Sequence, residues 1–173
     1  MYTHYWYSKT HLDPDIFNRF AADVKKVLKE IGVPLARECD DPDTDPVINE
    51  QEVRFNGIGD DGHETFLFTR DTCKQDYTDG DKAFTFCGTA RKPYDIAVTA
   101  CLVLARYHFG NSVRVSSDGC SADWEQAIEL VNKTFGYPMQ AVDERSDGES
   151  LIQEVKHKDP VASDKEIVSV FGK

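Results

Sequence analysis

The string Thr89-Ala90-Arg91-Lys92-Pro93-Tyr94-Asp95 concentrates the chain's best prospects for chemistry. Its two cations stand directly before a proline suited to the first turn of a helix, with the hydroxyls of Thr89 and Tyr94 beside them. A helix N-terminus gathers unpaired backbone N–H groups and the positive end of the dipole, so a phosphate or carboxylate is favoured there. Arg91 and Lys92 would add charge-assisted hydrogen bonds to such an anion. The same side chains would serve equally well to pair with acidic residues elsewhere or to solvate a loop.

Two further groups stand beside this one. Ser116-Ser117-Asp118-Gly119 offers hydroxyls and a carboxylate between a strand and a helix. Loops of that kind converge at one end of a sheet, although Asp-Gly flanked by serines is also ordinary turn chemistry. Arg54-Phe55-Asn56-Gly57 and Gly62-His63-Glu64-Thr65-Phe66 bracket a short acidic turn. His63 beside Glu64 is an acid–base pair by type, but neighbours on a strand point to opposite faces and do not readily act on one atom. His63 and Asn56 are therefore read as hydrogen-bonding groups for a ligand, and no catalytic residue is assigned.

Familiar catalytic and metal-binding signatures are missing from the string of letters. There is no G-x-x-x-x-G-K-[ST], G-x-S-x-G or H-E-x-x-H. A zinc deaminase needs a Pro-Cys-x-x-Cys that this chain lacks. Asp40-Asp41-Pro42-Asp43-Thr44-Asp45 has the composition of a calcium loop without its central Gly or closing Glu. Cys39, Cys73, Cys87, Cys101 and Cys120 form no C-x-x-C pair, so free thiols are expected, with neither metal nor cofactor.

Charge is unevenly spread. Residues 38–81 hold fourteen Asp and Glu against three Lys and Arg, while the other 129 residues carry seventeen of each sign, so this segment accounts for the whole net charge of -11. Such a balance argues against an open basic groove for nucleic acid. A concentrated acidic stretch, with Asp40, Asp41, Asp43 and Asp45 at its head, fits docking to a basic protein or mimicry of phosphates. No apolar run reaches the roughly 18 residues that span a membrane, and the start is aromatic and polar where a signal peptide would be aliphatic, so the expected setting is the cytoplasm.

The elements that must position these residues follow from periodicity. Tyr2 to Tyr7 predicts an opening strand. Asp13-Pro14 predicts a helix start, with apolar residues at helical spacing to Ile31 and Gly32 as its end. Strands are predicted over 51–55, 64–70, 83–87 and 112–116. A helix apolar on nearly every face follows Pro93 and ends at Gly110, and a third, capped by Ser121, buries Trp124, Ala127, Ile128 and Val131. The order β-α-β-β-β-α-β-α predicts an α+β fold over 1–138, a mostly antiparallel sheet with helices on one face, loosely ferredoxin-like. Residues 139–173 read as a polar extension with short helices after Ser146-x-x-Glu149 and Ser163-x-x-Glu166, or partly mobile, and dispensable for folding.

Taken together, the Arg54-Phe55-Asn56-Gly57, Gly62-His63-Glu64-Thr65-Phe66, Thr89-to-Asp95, Ser116-to-Gly119 and Asp123-Trp124 strings resemble a family of uncharacterised proteins encoded by bacteriophages and prophages, over about residues 2 to 137. The resemblance implies a setting and no mechanism. In that setting the expected function is capture of an anionic, nucleotide-like small molecule by Arg91, Lys92, Thr89, Tyr94, Asn56, His63, Ser116, Ser117 and Asp118, with stacking from Trp6 or Tyr94. The alternatives are an acidic inhibitor or DNA mimic that docks on a basic host factor, and an enzyme acting on a nucleotide with His63 or Asp118 as base.

Overall fold

The computed structural model describes residues 1–73 and 78–156. Strand β1, Thr3–Lys9, buries every second side chain: His4, Trp6 and Ser8 face inward while Tyr5 and Tyr7 face out. It lies between β7, Lys82–Gly88, and β8, Val113–Ser117, both antiparallel to it. β6, Thr78–Asp79, pairs with the far side of β7, so the sheet runs β6-β7-β1-β8. A ferredoxin-like sheet needs a parallel central pair; here the central strand is antiparallel to both neighbours, and the likeness ends at the α+β class.

A second antiparallel sheet is centred on β4, Glu52–Gly57. The short strands β2, Leu35–Ala36, and β3, Val47–Ile48, pair with it, as does β5, Phe66–Thr69. Phe55, Phe66 and Phe68 from this sheet meet Trp6 of the first and Phe17, Phe20 and Phe109 of the helices in one aromatic core.

Among the described residues, three α-helices complete it. α1, Pro14–Ile31, starts where the Asp13 carboxylate accepts the Asp15 and Ile16 N–H groups and stops at Gly32 in the left-handed region, φ 70°. α2, Asp95–Phe109, is buried from Ala97 through Ala105, as its uniformly apolar sequence predicts. α3, Ser121–Phe135, begins one residue after Cys120, which takes the capping position expected of Ser121; the Asp123 carboxylate accepts the Cys120 N–H at 2.9 Å.

The stretch after Met139 differs from the expectation. β9, Met139–Ala141, and β10, Ile152–Glu154, form an antiparallel ribbon. Met139, Leu151 and Ile152 belong to the buried core. Only half of the Ser146–Glu149 box forms: the Ser146 N–H bonds to the Glu149 carboxylate, but the Glu149 N–H goes to the Ser146 backbone carbonyl, closing a turn. No helix follows, because Leu151 and Ser150 bond to Val115 in β8 and continue the ladder. The box at Ser163 and the cluster at Ile167 lie outside the described residues.

Candidate functional site

His4, absent from the sequence-derived candidates, is the hub of the site. It sits at an inward position of β1, wholly buried, where an imidazole must find partners for both nitrogens. Nε2 lies 2.7 Å from Asp95 Oδ1 and Nδ1 lies 2.8 Å from Ser117 Oγ. The Thr89 hydroxyl donates to the same Asp95 oxygen. The ring packs edge-on to Tyr2 at 5.0 Å and to Trp124 at 4.9 Å.

This arrangement revises the expected anion site. The Asp95 carboxylate, in the first turn of α2, already supplies negative charge at the positive end of the helix. Four of the backbone N–H groups around it are also engaged: those of Thr89 and Ala90 donate to the Tyr2 carbonyl, that of Lys92 to Thr89 and that of Asp95 to Lys92. The cationic side chains stand beside them. The Arg91 guanidinium lies 3.9 Å above the Tyr2 ring and donates to Asp123 Oδ1 at 2.9 Å. Its partner is thus on α3, and not in the acidic segment. That contact holds the Asp123 carboxyl below the usual carboxylate range and raises Arg91 in turn. Lys92 is half-buried, with no side-chain partner among the described residues.

Ala90 and Arg91 hold φ of 52° and 57°. The left-handed region costs an L-residue roughly 1–2 kcal/mol, and two in succession without a glycine mark a turn that its surroundings force. The forcing contacts are the two N–H bonds to the Tyr2 carbonyl on one side and the Arg91–Asp123 pair on the other.

Most of the remaining candidates have partners of their own. Asn56 is buried; its amide donates to the His63 carbonyl and the Thr65 hydroxyl, and its oxygen accepts the N–H groups of Gly57 and His63. A Cβ at Gly57 would collide with the Asp61 carbonyl, so this turn needs glycine. His63 and Glu64, expected on opposite faces, both reach the Gly88 peptide: His63 Nδ1–H donates to its oxygen at 2.9 Å and Glu64 Oε1 accepts its N–H. Asp118 is exposed, accepting the Thr3 N–H and the Tyr5 hydroxyl. The Gly119 N–H bonds to Ser117 Oγ at 2.9 Å. Ser116 is on the outward face of β8, opposite Tyr5.

The two proposed stacking rings are elsewhere. Trp6 is 1% exposed, packed on Phe66 and Phe68, and Tyr94 is fully buried with its hydroxyl donating to the Glu64 carbonyl. Both rings are enclosed by protein, which removes them as stacking surfaces. Tyr2 is half-buried under Arg91; burial, then the charges of Asp95 and Asp123, push its hydroxyl up to about 12. Cys87, beneath the site, is raised to about 12 by burial.

Asp40, Asp41, Asp43 and Asp45 all point to solvent from the loop between β2 and β3. At its base Glu38 pairs with Arg54 and accepts the Thr65 hydroxyl, and these bonds hold its carboxyl below the ordinary range. All five cysteines are free. Among the described residues no His, Cys, Asp and Glu side chains gather as a metal ion requires, and no helix is long and apolar enough to cross a membrane.

No family model, no curated protein and no solved structure matches this chain.

Proposed function

We propose that this chain is a phage accessory protein of the host-takeover or counter-defence kind, which binds and sequesters an anionic, nucleotide-like small molecule in the cytoplasm of the bacterial host. The ligand's phosphate lies against Arg91 and Lys92, its base against Tyr2, and His63 and Asp118 meet its polar edges. One observation carries the reading: Ala90 and Arg91 hold consecutive left-handed conformations, a strain that has no part in packing the core and that sets a guanidinium on an aromatic ring. Strain of this kind is kept where a loop must present a group to a ligand. The Asp123 carboxylate on Arg91 then stands where an anionic ligand would compete.

Native mass spectrometry of the protein purified from infected cells tests this. A retained species of nucleotide mass, lost in Arg91→Ala/Lys92→Ala, supports it; protein that emerges bare under conditions that preserve its fold contradicts it. The exposure of all four loop aspartates favours one rival, docking on a basic host protein, which the same spectra would reveal as a heavier complex.

A further inference from the structure

The two bonds that satisfy the buried His4 also set a direction for its proton. An ionised carboxylate only accepts, so His4 Nε2 carries its hydrogen toward Asp95, and Nδ1 is left bare. Ser117 Oγ, 2.8 Å from that bare nitrogen, therefore donates its own hydrogen to it. The serine's lone pair is held by the Gly119 N–H, which fixes the hydroxyl's rotation. Thr89 fixes the Asp95 carboxylate in the same way. The result is an acid, a buried imidazole and a serine hydroxyl in hydrogen-bonded series, brought together from residues 91 and 113 positions apart. His4 is sealed from water, whereas Ser117 is partly exposed beside Tyr2 and Asp118.

We propose that Ser117 is a nucleophile, activated by His4 as general base and by Asp95 as the residue that positions the imidazole, and that it acts on a phosphoester. The choice of phosphoester rests on the nucleotide reading above; the nucleophile itself rests on the relay alone. Ser117 Oγ attacks phosphorus while its proton passes to His4 Nδ1, and the bond from phosphorus to the leaving oxygen breaks on the exposed side, where that oxygen takes a proton from solvent. Water then attacks the phosphoserine phosphorus and loses its proton to solvent, and Ser117 leaves by taking back the proton held on His4 Nδ1. Arg91 supplies the positive charge near the reacting phosphate.

A tagged fluorophosphonate, which transfers its phosphonyl group to an activated serine with loss of fluoride, reads the nucleophile without reference to any nucleotide. The expected result is one label per chain, found on Ser117 by peptide mass, absent from Ser117→Ala and slowed by about 100-fold in His4→Gln. Folded wild-type protein that takes no label, or labels at another residue, overturns the proposal whatever the variants do. Should His4→Gln fail to fold, the wild-type labelling rate decides: a rise with pH to a plateau supports a base that must be neutral, and a flat rate refutes it. Nucleotide binding measured by calorimetry on the same samples is a separate readout, so a ligand without a label sinks the nucleophile and leaves the binding site standing.

Discussion

Replacing Leu151 by alanine tests whether the polar C-terminal stretch completes the core. The side chain is 1% exposed and lies in the same cluster as Met139 and Ile152. Emptying such a site costs about 3 kcal/mol, within the roughly 2–5 found for buried leucines. In a chain of this length each kcal/mol shifts the melting point by roughly 2–4 °C, so Leu151→Ala should melt about 6–12 °C lower. Ending the chain at Gln140 removes Leu151 and Ile152 together, for about 6 kcal/mol. It also strips Val115 of its bonds to Ser150 and Leu151, and Arg106 of the Ile152 carbonyl, at about 1 kcal/mol for each. Against a usual total of about 5–15 kcal/mol, that loss leaves little or nothing. Thermal melts followed by circular dichroism give the answer directly. A chain ending at Gln140 that melts cooperatively at the temperature of the full chain would refute the reasoning and return these residues to the status of an appendage.

Three other outcomes follow from the same structure. Ala90→Gly should raise stability by about 1 kcal/mol in urea titrations, because it relieves one left-handed residue, while a destabilisation would show that the turn is not strained. His108 is held below the ordinary histidine range by burial, despite its 2.7 Å bond to Asp23; the unfolded chain therefore takes up the proton first, so stability is lost as pH falls below about 6.5, and His108→Gln should flatten that slope in melts at pH 5 to 7. Converting Asp40, Asp41, Asp43 and Asp45 to Asn should change stability by no more than about 0.5 kcal/mol, since all four are exposed, and a larger drop in the melt would give the loop a structural role.

The helices and longer strands were legible because each writes a period into the sequence. α1 carries both of its caps as Asp13 and Gly32, and α2 announces its burial by having no polar face. The two-residue strands β2 and β3 are too short to carry any alternation, and they exist only because β4 offers them an edge. β10 was hidden by a capping-box signature of which only the Glu149 carboxylate bond forms, and whose following residues pair with β8 and β9 instead. At the site, Thr89, Arg91, Ser117 and Asp118, picked out by type, lie around Tyr2, Thr3 and His4, whereas Asn56 and His63 form a group of their own at Gly88. His4 was not picked out, since its partners lie 91 and 113 residues away and nothing local reveals them. One signal was present: on an alternating strand, a histidine in phase with Trp6 must be buried, and a buried histidine must have partners. Trp6 and Tyr94 were misplaced because aromatic residues serve the core and a ligand equally well, and only packing distinguishes them.

The central claim is that the surface around Tyr2 and Arg91 binds a small nucleotide-like anion. Titration calorimetry with linear and cyclic nucleotides, on the wild-type chain and on Arg91→Ala/Lys92→Ala, tests it most directly. Arg91 is largely exposed, so the double variant should fold and melt like the wild type. The account predicts saturable binding of at least one nucleotide, weakened about tenfold or more when the two cations are removed, as the loss of one charge-assisted hydrogen bond of about 1.5–3 kcal/mol requires. Binding that is indifferent to the double substitution, or no binding by any nucleotide in the panel, would contradict it.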